Sequence, residues 1–154
     1  YPELYAAQLS DNETMLKNKE KIDFGIPYLA ECGGFMYLHE SMQDLNGKGY
    51  QGQAAFPENR TIQESLGDLA ILRCTPEKGQ LLEEEQEIRG HEFHYFDSTN
   101  TGEDYTAVKP VTGRTWNCIH GTEKSACGYP HLYYWSNPQF AVNFMRKVQG
   151  YKEE

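Results

Sequence analysis

One stretch constrains this chain more than any other: Ile26-Pro27-Tyr28-Leu29-Ala30 runs directly into Glu31-Cys32-Gly33-Gly34. A short apolar run whose only Pro lies near its start suits a buried strand of a parallel sheet. Phe35, Leu38, Met42 and Leu45 then recur at helical spacing, so the segment predicts strand, sharp turn, helix. Parallel strands need crossover connections, which are usually helical, and the unit therefore points to a layered α/β fold.

The flanks agree with that class. Residues 3–24 read as helix in two parts, with Ser10-Asp11-Asn12-Glu13 matching a capping box in which Ser10 and Glu13 satisfy free backbone N–H groups. Lys17, Lys19 and Lys21, closed by Gly25, predict a surface helix with one thin apolar stripe. Gly47, Gly49, Gly52 and Pro57 place turns around a short strand within 46–60. Strands are expected over 69–74, 88–96, 105–108 and 115–119, with Glu83, Glu84 and Glu85 in a solvated turn or strand end. Asn137-Pro138 opens a final helix, because Asn caps and Pro loses nothing at the first position. Phe140, Ala141, Phe144, Met145 and Val148 form its apolar face, and Gly150 closes it. This order predicts a three-layer α/β/α sandwich, with room for an antiparallel extension among the later strands. The 154 residues suffice for one core, and the whole chain reads as one domain.

Charge and cysteine usage narrow the function. Acidic residues number 23 against 14 basic, a net charge of −9. That argues against nucleic acid as the main partner, since phosphate binding needs a basic face. No run approaches the roughly 18 consecutive apolar residues of a membrane helix, and no signal segment opens the chain. Cys32, Cys74, Cys118 and Cys127 form no Cys-x-x-Cys pair, which argues against a zinc knot or a disulfide scaffold. The expectation is a reduced, cytoplasmic domain with no membrane partner and no metal. The start, Tyr1-Pro2-Glu3-Leu4 without an initiator Met, predicts a piece of a longer protein cut near an element boundary.

Cys32 is the most informative position. A cysteine between a buried strand and a helix sits where the helix dipole and free N–H groups favour thiolate. Gly33 and Gly34 keep the turn free of Cβ atoms and allow strained angles, and the Gly33 N–H can face a developing oxyanion. The local pattern equally fits a small buried cysteine before a glycine-rich turn. Of the five histidines, His39 reads as exposed on the helix after the turn, and His120 as an unaccompanied strand-end residue. His131 lies in a tight loop approaching the last helix, a common place for catalytic histidines and for ordinary ones. In Arg89-Gly90-His91-Glu92-Phe93-His94-Tyr95, strand alternation sends His91 and His94 to opposite sides while Glu92 and His94 share a face. A carboxylate–imidazole pair therefore fits better than a zinc site, either lining a cleft or lying on an exposed sheet face.

Four blocks taken together resemble a known family: Tyr-Pro-Glu-Leu-Tyr at 1–5, Ala-Glu-Cys-Gly-Gly-Phe-Met-Tyr-Leu at 30–38, Arg-Gly-His-Glu-Phe-His-Tyr at 89–95 and Tyr-Pro-His-Leu-Tyr-Tyr-Trp-Ser-Asn-Pro at 129–138. In this order, spanning nearly the whole chain, they are similar to the C-terminal glutamine amidotransferase domain of the cobyrinic acid a,c-diamide synthases. The resemblance implies an N-terminally truncated, flavodoxin-like class I glutamine amidotransferase fold. It makes Cys32 the nucleophile toward the glutamine carboxamide, His131 the general base and acid, and the Gly33 N–H an oxyanion donor beside Gly34. Glu92 and His94 would shape the cleft. ATP, magnesium and the corrinoid would be handled by an N-terminal ATP-binding domain of the same chain, and no Gly-x-x-x-x-Gly-Lys-Ser/Thr loop occurs here. The same glutaminase chemistry would serve a nickel-sirohydrochlorin a,c-diamide synthase or a cobyric acid synthase. Other readings are a catalytically inert docking domain and a peptidase built on a similar sheet. Two departures matter. Many relatives with a catalytic triad carry Glu two residues after the histidine, and some in this subgroup carry His, where this chain has Tyr133. A glycine-rich turn that contributes to the oxyanion hole in the family would lie before Tyr1.

Overall fold

Residues 1–54, 62–64 and 70–151 are described by a computed structural model of the chain. In chain order the helices are α1 (Ala6–Ser10), α2 (Glu13–Leu16), α3 (Asn18–Asp23), α4 (Gly33–Tyr37) and α5 (Pro138–Gly150), with 3-10 turns at Pro2–Leu4 and Tyr134–Ser136. The strands are β1 (Tyr28–Glu31), β2 (Ser41–Gln43), β3 (Gly49–Gln51), β4 (Ile62–Glu64), β5 (Ala70–Pro76) and β6 (Ile88–Glu92). They continue with β7 (Phe96–Ser98), β8 (Tyr105–Val108), β9 (Thr115–Cys118), β10 (His120–Gly121), β11 (Ser125–Gly128) and β12 (His131–Leu132). The expectations at Pro57 and Leu69 lie outside the described residues.

The apolar run before Cys32 forms β1, parallel to β11 in the register Tyr28↔Ser125 to Glu31↔Gly128, and β10 lies antiparallel on the other side of β11. The larger sheet, ordered β12-β6-β5-β8-β9, is antiparallel throughout. Two-stranded pairs β2–β3 and β4–β7 complete a mixed α/β fold with several sheets. The parallel character inferred from the apolar run is thus carried, among the described residues, by β1–β11.

Two cores follow. Strand β5 alternates strictly enough to bury Ala70, Leu72 and Cys74 while leaving Ile71 71% exposed. Its inner face packs with Leu81, Leu82, Ile88, Tyr105, Ala107 and Phe140. The second core gathers Ala6, Phe35, Met36, Met42, Phe96, Cys127 and Tyr129, with Leu9, Met15 and Ile22 reaching in from the N-terminal helices. Each large apolar side chain so buried contributes about 1.5–3 kcal/mol.

Several local expectations shift. The cap of the second helical part is Asn12, whose side chain accepts from the Met15 N–H at 3.0 Å, while Ser10 ends α1. Helix α4 stops at Tyr37, and Met42 belongs to β2. Phe35 to His39 are buried without a break, so no polar face exists to support an amphipathic surface helix. His39 is therefore buried rather than exposed, with Nδ1 2.9 Å from the Phe35 carbonyl oxygen and Nε2 2.6 Å from the Ser98 hydroxyl. The strand expected over 88–96 breaks after Glu92, where the pairings with β5 and β12 both run out and the chain resumes as β7 against β4. On α5, Asn137 caps the Gln139 N–H at 3.2 Å as expected, but Met145 and Val148 remain exposed. The apolar face of that helix is only half covered.

Candidate active site

Strand β1 delivers Cys32 to the start of α4 with φ 48° and ψ −105°. A non-glycine residue in this left-handed region stores on the order of 1–3 kcal/mol of strain. Backbone bonds hold it there: the Cys32 N–H donates to the Gly128 carbonyl at 2.8 Å, and the Met36 N–H donates to the Cys32 carbonyl at 2.8 Å. The strain expected at Gly33 and Gly34 thus falls on Cys32 itself, and neither glycine has a positive φ. Space at Gly33 is tight, since a Cβ there would lie 3.1 Å from Pro2 Cδ. At Gly34 a Cβ would meet only Ala30 Cβ, at 3.6 Å.

The half-buried Cys32 thiol donates to the Phe93 carbonyl over 3.9 Å. Burial pushes this thiol above its ordinary pKa. The Gly33 N–H pulls it back, and the carboxylates of Glu3 and Glu92 add to the rise. This corrects the expectation of a dipole-stabilised thiolate. A helix of five residues is too short for its N-terminal field to outweigh desolvation. Cys74, Cys118 and Cys127 are buried and outside any disulfide.

His131 comes from the link between the two sheets. Three residues after Gly128 has closed the β1–β11 ladder, the chain joins the edge of the larger sheet, with His131 opposite His91. Gly90 permits that approach, because a Cβ there would lie 2.5 Å from the His131 carbonyl oxygen. The His131 ring stacks on His91 with centroids 4.9 Å apart and planes 15° apart. Its Nδ1 faces Glu31 Oε2 at 3.7 Å. The other oxygen, Glu31 Oε1, accepts from the Leu132 N–H at 3.3 Å and from the Tyr134 hydroxyl at 2.5 Å. Burial and the Glu31 carboxylate push the Tyr134 phenol up, which keeps it a donor.

Glu92 and His94 form the pair read from the sequence, although the strand ends between them: His94 Nε2 lies 3.1 Å from Glu92 Oε1, and Nδ1 2.7 Å from the Phe96 carbonyl oxygen. Burial pulls the His94 imidazole down, but its bonds to Glu92 and Phe96 outweigh that and leave its pKa raised. The ring stacks on Tyr129 at 3.7 Å between centroids. Glu92 Oε2 and the Tyr129 hydroxyl are both buried without a hydrogen-bond partner, and Glu92 acts on the Cys32 thiol. Among the described residues no group of three or more His, Cys, Asp or Glu is placed to hold a metal ion, and no helix is long and apolar enough to cross a membrane.

The structure therefore brings Glu92 to His94 and Phe93 to Cys32, while His131 engages Glu31 and His91 rather than the sulfur. Glu31 and Tyr134 are not singled out in the sequence, and His91 enters it only as the residue that alternation turns away from His94. Glu31 and Tyr134 adjoin predicted residues, but their bond spans 103 positions, and no periodicity reports a contact of that range.

Residues 1–139 match the profile of the CobB/CobQ-like glutamine amidotransferase domain. The chain is 33% identical over 158 residues to the cobyrinate a,c-diamide synthase of Dehalococcoides mccartyi, covering 98% of this chain and 34% of that protein. It is 34% identical over 148 residues to the cobyrinate a,c-diamide synthase of Fusobacterium nucleatum (91% of this chain, 32% of that protein). With the enzyme of the same name from Salmonella typhimurium the identity is 31% over 151 residues (94% and 33%). The chain spans about a third of the length of these relatives. A strained cysteine after a half-buried parallel strand, the four motif blocks and a profile match over residues 1–139 converge: the chain belongs to the CobB/CobQ-like glutamine amidotransferase domain family.

Proposed function

We propose that this domain hydrolyses glutamine through Cys32 and supplies ammonia for amidation of the a and c carboxylates of cobyrinate in cobalamin biosynthesis. In this reading the Cys32 sulfur attacks the carboxamide carbon as His131 takes the thiol proton. The Gly33 N–H donates to the oxyanion. His131 returns the proton to the departing ammonia, leaving a thioester that water cleaves to glutamate and free thiol. Because burial raises the Cys32 pKa, the resting sulfur is a thiol, and attack needs a base at the moment of reaction rather than a standing thiolate. Glu92 Oε2, buried and unpaired, suits the α-ammonium of the substrate.

The observation that carries the reading is the left-handed Cys32 at the end of the parallel pair, whose partner strand β11 leads within three residues to His131. Such strain persists where surrounding structure over-determines it, and it clusters at reactive sites. The finer architecture belongs to the same reading: β1–β11 forms the centre of a three-layer α/β/α, flavodoxin-like sheet in a cytoplasmic enzyme. Activation of the acceptor by ATP and magnesium falls to the remaining two thirds of a protein like the relatives. The sequence carries no Gly-x-x-x-x-Gly-Lys-Ser/Thr loop that would take that role here.

The test is glutamate release by the full-length protein with Cys32 intact and with Cys32→Ser. Loss of at least about 10³-fold is expected for removal of a covalent nucleophile. Release that survives the substitution ends the assignment.

A further inference from the structure

We infer that Glu31, the residue immediately before the nucleophile, is the positioning carboxylate for His131. The inference deepens the glutaminase reading and rests on it. Position 133, where a triad carboxylate would stand, holds a tyrosine that is 59% exposed, so the orientation of the imidazole must come from elsewhere. Glu31 meets the requirement from the end of β1. One carboxylate oxygen is tied down by the Leu132 N–H at 3.3 Å and the Tyr134 hydroxyl at 2.5 Å. The other is left facing His131 Nδ1 at 3.7 Å. That separation exceeds a hydrogen bond, and it is of the kind that tightens when the imidazole gains a proton. A carboxylate on the Nδ1 side favours the tautomer with hydrogen on Nδ1, leaving the Nε2 lone pair free to take the thiol proton. Stacking on His91, with planes 15° apart, fixes the ring plane. Nucleophile and positioning group therefore leave one strand end as neighbours, so any motion of β1 against β12 moves both toward or away from the base together.

A purely structural Glu31, serving only to clamp Leu132 and Tyr134, is the competing explanation. Glu31→Gln separates the two, because the amide oxygen can still accept both bonds while the charge is gone. The readout is nitrogen-15 NMR of the His131 ring in the resting full-length protein, combined with kcat and KM for glutamine hydrolysis. The Nδ1–H tautomer is expected to dominate in the wild type and to lose that dominance in Glu31→Gln. The expected loss in kcat is about 10- to 100-fold with KM within about twofold. An Nε2–H tautomer in the wild type overturns the inference without any variant. So does a folded Glu31→Gln with tautomer and kcat unchanged. Tyr134→Phe keeps the charge and should lose less than tenfold; a loss equal to that of Glu31→Gln with the tautomer intact overturns the inference in favour of the clamp. The NMR measurement needs no turnover, so it fails or succeeds separately from the Cys32→Ser test of the glutaminase reading.

Discussion

The two cores solve the same packing problem differently. Around β5 the chain alternates inside and outside residues, its core side chains are mostly aliphatic, and no residue of that strand has a positive φ. Around α4 the chain buries five residues in succession, takes in the imidazole of His39, and holds Cys32 left-handed. Apart from Ile119, held at φ 59° in the same core, and Pro76 at the end of β5, the first region follows the local preferences of half-buried strands. The second violates several at once, at the place where the family chemistry would need an exposed sulfur on a rigid turn. Locally inconsistent segments that persist are where function is expected to be found.

Core truncation in each region gives the largest effects. Leu72→Ala in the larger sheet should cost about 2–5 kcal/mol and Phe35→Ala about 3–5 kcal/mol, read by denaturant unfolding. Only the latter should also change the rate at which Cys32 reacts, because Phe35 anchors α4, the helix that Cys32 opens. Equal effects on Cys32 would mean that the two cores are mechanically one. Relief of strain comes next. Cys32→Gly should leave stability unchanged or raise it by about 1 kcal/mol, since glycine tolerates φ 48°, while abolishing glutamine hydrolysis. A clear destabilisation would show that the thiol contributes packing rather than strain.

The smaller effects are read against pH. Cys74, Cys118 and Cys127 are at most 2% exposed, so preferential alkylation of Cys32 follows from access alone and does not demonstrate activation. The informative quantity is the pH profile. The Cys32 rate should keep rising past the pH at which thiols of the denatured chain level off, and Glu92→Gln should move that profile acid-ward by removing a neighbouring negative charge. The Glu92–His94 pair titrates in the other sense. Because the folded imidazole is raised above its ordinary 6.5, its contribution is fully present below about pH 6.5 and is lost as pH climbs through the folded value. The Tm difference between wild type and Glu92→Gln should therefore be largest near pH 6 and shrink toward pH 8. A difference that grows with pH would contradict the pairing.

Legibility followed the range of the forces involved. β1, the turn at Cys32 and the Asn137-capped helix are local patterns, and each stands where the sequence places it. Strand β11, Ser-Ala-Cys-Gly, carries no strand signal; four small residues become a buried strand because β1 and β10 supply partners on both sides. The overrun at 93–95 has the mirror cause, a strand-like sequence whose neighbours end. At the site, the Glu92–His94 bond lies two positions apart and could be read from alternation, while the Glu31–Tyr134 bond lies 103 apart and could not.

The order of residues determined by itself the chemistry on offer: a cysteine between an apolar run and a pair of glycines, a carboxylate and an imidazole two positions apart at Glu92 and His94, and an excess of acidic over basic residues. The folded arrangement alone decided how those groups behave. Desolvation raised a thiol that a helix start would lower, and a carboxylate one position from the sulfur turned out to face the distant imidazole. Both outcomes depend on what surrounds a group in three dimensions, because electrostatic energies are set by burial and by neighbours through space, not by neighbours along the chain.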